Sequence, residues 1–225
     1  MKVDISGVPV YIGIPVYGRI PTQTAFALAT TLHQCGLRAL DVELGMMGRG
    51  IVHWARDMVL DGFLKSDKRK LFWIDSDVVW DAEAFFQMIA LSTIYDVVSA
   101  AYPMKRDGVL AYQVSGTGEQ QAMNEHGLFE IHGTGLGFTI VDRSVCEQLA
   151  EKAPVVIDQN VGGPVKSVFR TDVVDGVRRG EDMAFFADIR ELGHKVMLAP
   201  SIKLGHVGDK CWQGRALDAM EQADG

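Results

Sequence analysis

A chain of 225 residues with 48% hydrophobic and 23% charged side chains has ordinary globular composition and enough length for a sizeable core. Its formal net charge of −7 argues against a protein that coats nucleic acid through the phosphates, and no run approaches the roughly 18–20 apolar residues that span a bilayer. Cys35, Cys146 and Cys211 are too few and too far apart for a disulfide framework or a zinc site, and Met1-Lys2-Val3-Asp4 does not open a secretory leader, so a reducing, cytoplasmic setting is expected.

Val8 to Ile14 reads as a buried strand that ends at Pro15-Val16-Tyr17-Gly18. Thr22 to Cys35 carries Ala25, Leu28, Ala29 and Leu32 at helical spacing, with Gly36 as its stop. Arg38 to Leu44 reads as a second strand, and Gly45, Gly48 and Gly50 as a flexible loop before a helix from Ile51 to Lys65. Leu71-Phe72-Trp73-Ile74 is a short, wholly apolar strand running into Asp75-Ser76-Asp77. Asp81 is placed to cap a helix reaching about Leu91, and Asp96 to Ala100 is a fourth strand. Strands alternating with helices at this spacing predict βαβ units and a mainly parallel α/β sheet.

From Tyr102 the chain turns polar and glycine-rich, with strand-like pieces near Val109–Gln113 and Leu128–Ile131. A strand follows over Leu136–Val141 and a helix over Arg143–Glu151, and then Pro154–Asp175 reads as irregular. Glu181–Leu192 is an amphipathic helix and Lys195–Leu198 the last strand. With no linker in view, residues 1–225 are expected to form one domain, with a ligand-binding half to about residue 100 and an acceptor half beyond it.

Chemistry concentrates in three places. Asp75-Ser76-Asp77 stands at the carboxyl end of an apolar strand, where open parallel sheets bind ligands. If the segment stays extended, Asp75 and Asp77 share a face, and a hard divalent cation between them would relieve their repulsion. The bland alternative is a strand exit with Asp as turn former. Glu181-Asp182 opens the last helix, either as helix-dipole compensation or as a general base. His206 lies in Leu204-Gly205-His206-Val207-Gly208, as a loop residue or a metal ligand.

Taken in order, these pieces resemble the GT-A glycosyltransferases. The matching segments are Ile14-Pro15-Val16-Tyr17-Gly18, Ala55-Arg56-Asp57, Phe72-Trp73-Ile74-Asp75-Ser76-Asp77, Gly133-Thr134-Gly135-Leu136-Gly137-Phe138, Gly180-Glu181-Asp182-Met183-Ala184-Phe185-Phe186, and Gly193-His194-Lys195-Val196-Met197-Leu198-Ala199-Pro200 leading to His206. The resemblance implies transfer of a sugar from a nucleotide-diphosphate donor, a UDP-sugar by expectation, with Mn²⁺ or Mg²⁺ as cofactor. It implies that Pro15 and Tyr17 line the base pocket and that Arg56 and Asp57 contact the nucleoside or a phosphate. Asp75 would lie near the ribose beside Ser76, Asp77 and His206 would hold the metal, and Asp182, with Glu181 beside it, would supply the base. Relatives often carry Asn where Asp57 stands. Lys210 and Trp212, just past His206, are read as a mobile tail able to close over the diphosphate.

Two other readings stay open at this point. A haloacid-dehalogenase-type phosphatase also places two Asp residues after an apolar strand, and a binding module would keep the fold without turnover. The lack of Gly-x-Gly-x-x-Gly after the first strand argues against a Rossmann dehydrogenase. The acceptor would be held by residues 102–135 and 154–180. The short chain resembles small bacteriophage glycosyltransferases, some of which glycosylate hydroxymethyl pyrimidines in DNA, and a glycan is the other candidate. Three basic clusters could meet a duplex: Lys65 with Lys68, Arg69 and Lys70; Lys105-Arg106; and Arg178-Arg179.

Overall fold

The computed structural model describes residues 4–48, 50–118, 122–158 and 162–223. Met1, Lys2 and Val3, on which the reading of the amino terminus partly rests, lie outside the described residues, as do parts of the two acceptor stretches. The first half runs β1 (Val10–Val16), α1 (Thr22–Leu37), β2 (Val42–Gly48), α2 (Val52–Lys65), β3 (Lys70–Ile74), β4 (Val78–Val79), α3 (Ala82–Ser92) and β5 (Val97–Ser99). The second runs β6 (Val114–Gly116), β7 (Phe129–Thr134), β8 (Phe138–Asp142), α4 (Arg143–Lys152), β9 (Val155–Asp158), β10 (Gly163–Lys166), β11 (Asp172–Val174), β12 (Val177–Arg179), α5 (Glu181–Glu191), β13 (Val196–Leu198), β14 (Leu204–Val207), β15 (Cys211–Gly214) and α6 (Ala216–Ala223).

One eight-stranded sheet organises the molecule in the order β2-β1-β3-β8-β5-β13-β7-β6. β2, β1 and β3 pair in parallel, as do β5 and β13, while β8 and β7 pair antiparallel with their neighbours. All strands except β8 and β7 therefore point the same way, which makes the sheet mainly parallel in direction. Helices cover both faces. Phe72 and Ile74 of β3 pack into one core with α1 and α3, where Leu28, Phe85 and Ile89 meet them. Leu71 and Trp73 face the other core, shared with Leu60 and Phe63 of α2, Val145 of α4 and Phe185 of α5. Successive strand residues point to opposite faces, so a strand covered on both sides reads as the unbroken apolar run seen in the sequence.

Several expectations are corrected. β2 begins and ends four residues later than read, so Gly45 and Gly48 belong to the strand and not to a loop. Gly45 is there for packing: the Tyr11 ring of β1 occupies the space a side chain would need, with Cε1 2.5 Å from where a Cβ would stand. α1 runs through Gly36 to Leu37, and the chain reverses at Ala39, with φ of 51°. The stretch expected to be irregular holds two antiparallel hairpins, β9–β10 and β11–β12. Val109–Gln113 contributes only an isolated bridge from Tyr112 to Pro103, and the strand lies later, at β6.

Candidate active site

The carboxyl end of β3 holds the acidic cluster, but not in the extended form the spacing suggested. Ile74 ends the strand, and Val78 N–H donates back to Asp75 C=O at 3.1 Å, closing Asp75-Ser76-Asp77 into a turn. The two carboxylates therefore serve different partners, and the shared-face argument fails at this point.

Asp77 faces His206 and Lys105. The short strand β4 pairs with β14 at Val78↔His206, and Val207 N–H donates to Asp77 C=O at 2.8 Å. Backbone hydrogen bonds thus bring His206 to the turn, so that Nε2 lies 3.5 Å from Asp77 Oδ2. Lys105 Nζ lies 2.5 Å from the same oxygen. Burial by itself would push the Asp77 carboxyl up, but His206 and Lys105 outweigh it and hold it down at about 2. His206 Nδ1 sits 2.9 Å from Pro103 C=O. Because that carbonyl can only accept, Nδ1 carries the proton there, the outer-sphere support that metal-binding histidines use.

This donor set fits a hard divalent ion held by one carboxylate and one imidazole, with the remaining positions open to phosphate oxygens and water. Among the described residues no three His, Cys, Asp or Glu side chains are clustered to hold a metal by themselves. Asp75, expected as a further ligand, is engaged elsewhere. Its Oδ1 accepts from Arg56 Nη2 at 3.1 Å and its Oδ2 from the Tyr102 hydroxyl at 3.1 Å.

Arg56 is the hub of the acids. Its side chain is only 3% exposed, and beyond Asp75 it ion-pairs with Asp182 and reaches Glu181 Oε1 at 3.6 Å. A guanidinium buried to this degree needs such partners. The glycine-rich segment before β8 makes room for the cluster. A Cβ on Gly135 would stand 2.5 Å from the Tyr102 hydroxyl oxygen, and one on Gly137 would stand 2.5 Å from Asp75 Cγ.

Two cavities border these groups. One of about 150 Å³ is lined by Pro15, Tyr17, Val52, Asp75, Ser76 and Asp77, with Tyr17 74% exposed at its rim. The other, about 250 Å³, is lined by Tyr102, Lys105, Gln113, Thr134, Asp182 and His206. Together they approach the size of an ordinary ligand site. Two larger clefts of about 390 Å³ flank the 167–170 segment and include none of Asp75, Asp77, Asp182 or His206, so size does not locate the chemistry here.

Other expected site residues are placed differently. Asp57 accepts backbone N–H groups from Val168 at 2.8 Å and Phe169 at 2.9 Å, so it anchors the segment between β10 and β11 instead of lining the cavity at Pro15 and Tyr17. Lys210 and Trp212 are not in a loose tail: β15 pairs antiparallel with β14, and Trp212 stands opposite His206. Lys210 ion-pairs with Asp107 and lies 5.1 Å from the Trp212 ring centroid. The basic clusters are largely neutralised. Lys65 pairs with Asp61, Lys68 with Asp41 and Asp67, Lys70 with Asp142, and Arg179 with Asp172. Lys68 and Lys70 also stand at the amino end of β3, the far end from Asp75.

Two site residues escaped the sequence reading. Tyr102 follows β5 at its carboxyl end, the same position rule that singled out Asp75. Lys105 reads in sequence only as part of a basic cluster, because its partner Asp77 is distant along the chain.

No family model matches the chain, and no curated protein does. Solved structures do. A197 from STIV matches with a TM-score of 0.60 at 22% identity, over 90% of this chain and 87% of that one. GalNAc-T7, crystallised with UDP, GalNAc and Mn²⁺, matches with a TM-score of 0.57 at 9% identity, over 89% of this chain. The match spans 44% of that longer protein. The fold is the GT-A fold of glycosyltransferases.

Proposed function

We propose that the chain is a metal-dependent glycosyltransferase that moves a sugar from a UDP-sugar to a hydroxyl acceptor. The observation that carries the reading is the convergence of Asp77 and His206 at the end of β3, with the second His206 nitrogen fixed by Pro103 C=O. GalNAc-T7 was crystallised with UDP, GalNAc and Mn²⁺, which is what a site of this composition would take. Asp77 and His206 would hold the divalent ion, and the ion would offset the charge growing on the departing diphosphate.

The chain's own residues supply the rest. Pro15 and Tyr17 would receive the base in their cavity, with Ser76 and Asp75 at its inner end. Arg56 and the Tyr102 hydroxyl hold Asp75 fixed. Asp182 lines the second cavity, where an acceptor hydroxyl would lie, and takes the hydroxyl proton as oxygen attacks the anomeric carbon. The bond from that carbon to the diphosphate oxygen breaks, and its electron pair leaves with UDP. Glu181, 3.6 Å from Arg56, would add negative charge beside Asp182. A phosphatase reading would need Asp75 as a free nucleophile, and both of its oxygens are taken.

The pairing of Lys65, Lys68, Lys70 and Arg179 favours a glycan or other uncharged acceptor over DNA, because a duplex is gripped through uncommitted cations. Among the described residues no helix is long and apolar enough to cross a membrane. A thermal-shift series of UDP-sugars with and without Mn²⁺ tests the reading. Stabilisation by donor and Mn²⁺ together, lost in Asp77→Ala, is expected. Equal stabilisation of both proteins would remove the metal from Asp77.

A further inference from the structure

Lys105 occupies the position on Asp77 that a divalent ion would claim. Its Nζ and His206 Nε2 both approach the same oxygen, Oδ2, at 2.5 and 3.5 Å. A metal bound to that carboxylate and imidazole would stand within a few ångströms of the ammonium, and repulsion between them scales with the product of their charges. The two cations cannot share Asp77 at low cost.

The surroundings say which part moves. The Lys105 backbone is pinned: Met104 N–H donates to Ala111 C=O at 2.7 Å, Pro103 bridges to Tyr112, and Asp107 pairs with Lys210 on the β14–β15 hairpin. The side chain is free by comparison. About a third of it is exposed, and its stem passes Gly208, where Cδ would stand 3.2 Å from an added Cβ. It lies in the cavity shared by Tyr102, Gln113, Asp182 and His206. A lysine ammonium on a flexible four-carbon stem can turn to a new anion without moving the chain.

We propose that Lys105 is an exchangeable counter-ion: it neutralises Asp77 in the donor-free protein and passes to the diphosphate when a divalent ion takes Asp77. This rests on the glycosyltransferase reading above and adds a donor-binding residue to it. The exchange keeps Asp77 compensated at every stage and makes metal and nucleotide binding mutually reinforcing, since each relieves the charge the other disturbs.

The test is a Mn²⁺ titration followed by the electron paramagnetic resonance of free Mn²⁺, with and without UDP, on wild type, Lys105→Met and Lys105→Gln. Thermal melts without metal confirm that the variants fold. Without UDP, both variants should bind Mn²⁺ about fivefold more tightly than wild type, because the competing cation is gone. With saturating Mn²⁺, both should bind UDP about tenfold more weakly, because the charged contact to phosphate is lost. Unchanged or weaker Mn²⁺ binding in the variants without UDP overturns the competition. Unchanged UDP affinity overturns the transfer to phosphate. If wild type and variants alike fail to bind Mn²⁺ in either condition, the metal assignment at Asp77 falls and the exchange falls with it.

Discussion

Replacing Asp57 separates an anchoring role from a donor-binding one. The residue is 4% exposed, and its Oδ1 accepts from Val168 and Phe169 N–H at 2.8 and 2.9 Å. Asp57→Ala leaves two buried donors unmatched, at about 1–3 kcal/mol each, so the loss should be about 2–6 kcal/mol. For a chain of this size that lowers Tm by roughly 4–24 °C. Asp57→Asn keeps an acceptor oxygen and should stay within about 1 kcal/mol of wild type at pH 7. The pair also carries a pH signature. Burial pushes the Asp57 carboxyl up to about 6, against the lowering effect of its backbone and Ser167 hydrogen bonds. A folded value above the unfolded one near 3.9 means the folded state holds the proton more tightly. That contribution is fully present below about pH 4 and is lost as pH rises through 6. Asn does not titrate, so wild type should gain about 2 kcal/mol relative to Asp57→Asn between pH 7 and pH 4. Urea melts at several pH values measure both quantities. A wild-type to Asn difference that stays flat from pH 4 to 7 refutes the burial argument. An Asp57→Ala protein that melts with wild type but no longer binds UDP would return Asp57 to the donor site.

Asp182→Asn should bind UDP and Mn²⁺ as wild type does while transfer falls by about 10²–10⁴, as loss of a general base does. Single-turnover transfer alongside calorimetry of UDP binding checks it, and a parallel loss of UDP affinity would show that Asp182 is not the base. Gly137→Ala places a Cβ 2.5 Å from Asp75 Cγ and forces Asp75 off Arg56 and Tyr102. A stability loss of about 1–3 kcal/mol with weakened UDP binding is expected in melts and titrations. Unimpaired UDP binding would mean that the position of Asp75 does not matter to the donor.

What was legible in the sequence was local. Asp81 does cap α3, accepting Ala84 N–H at 2.7 Å, because a cap needs only a side chain three residues from its donor. Leu71 to Ile74 gave the central strand because burial on both faces leaves an unbroken apolar run. What was not legible depends on pairing across the chain. Nothing near His206 announces that β14 docks on β4 and carries it to Asp77. Nothing near Asp57 names Val168, more than a hundred residues away, as its partner. The Asp75–Asp77 turn is one of two readings the sequence leaves open, because the same tripeptide fits an extended strand and a turn equally well. The hairpins are not legible because Pro154–Asp175 reads as irregular chain, although Pro164 pairs with Ile157 in a two-stranded ladder.

The charges around the site explain why donor and metal should arrive together. Four carboxylates, Asp75, Asp77, Glu181 and Asp182, face two permanent cations, Arg56 and Lys105, which leaves a formal deficit of two positive charges when His206 is neutral. Arg56 cannot move to relieve it, since its side chain is buried among three of those acids. A diphosphate alone would enter a site already negative and would be repelled. A lone divalent ion would have to displace Lys105. Arriving together, the ion would balance the carboxylates, and the phosphate would receive the lysine that the ion displaces. On that reading Arg56 would act less as a donor contact than as the fixed charge that lets Asp75 and Asp182 sit close together at one strand end.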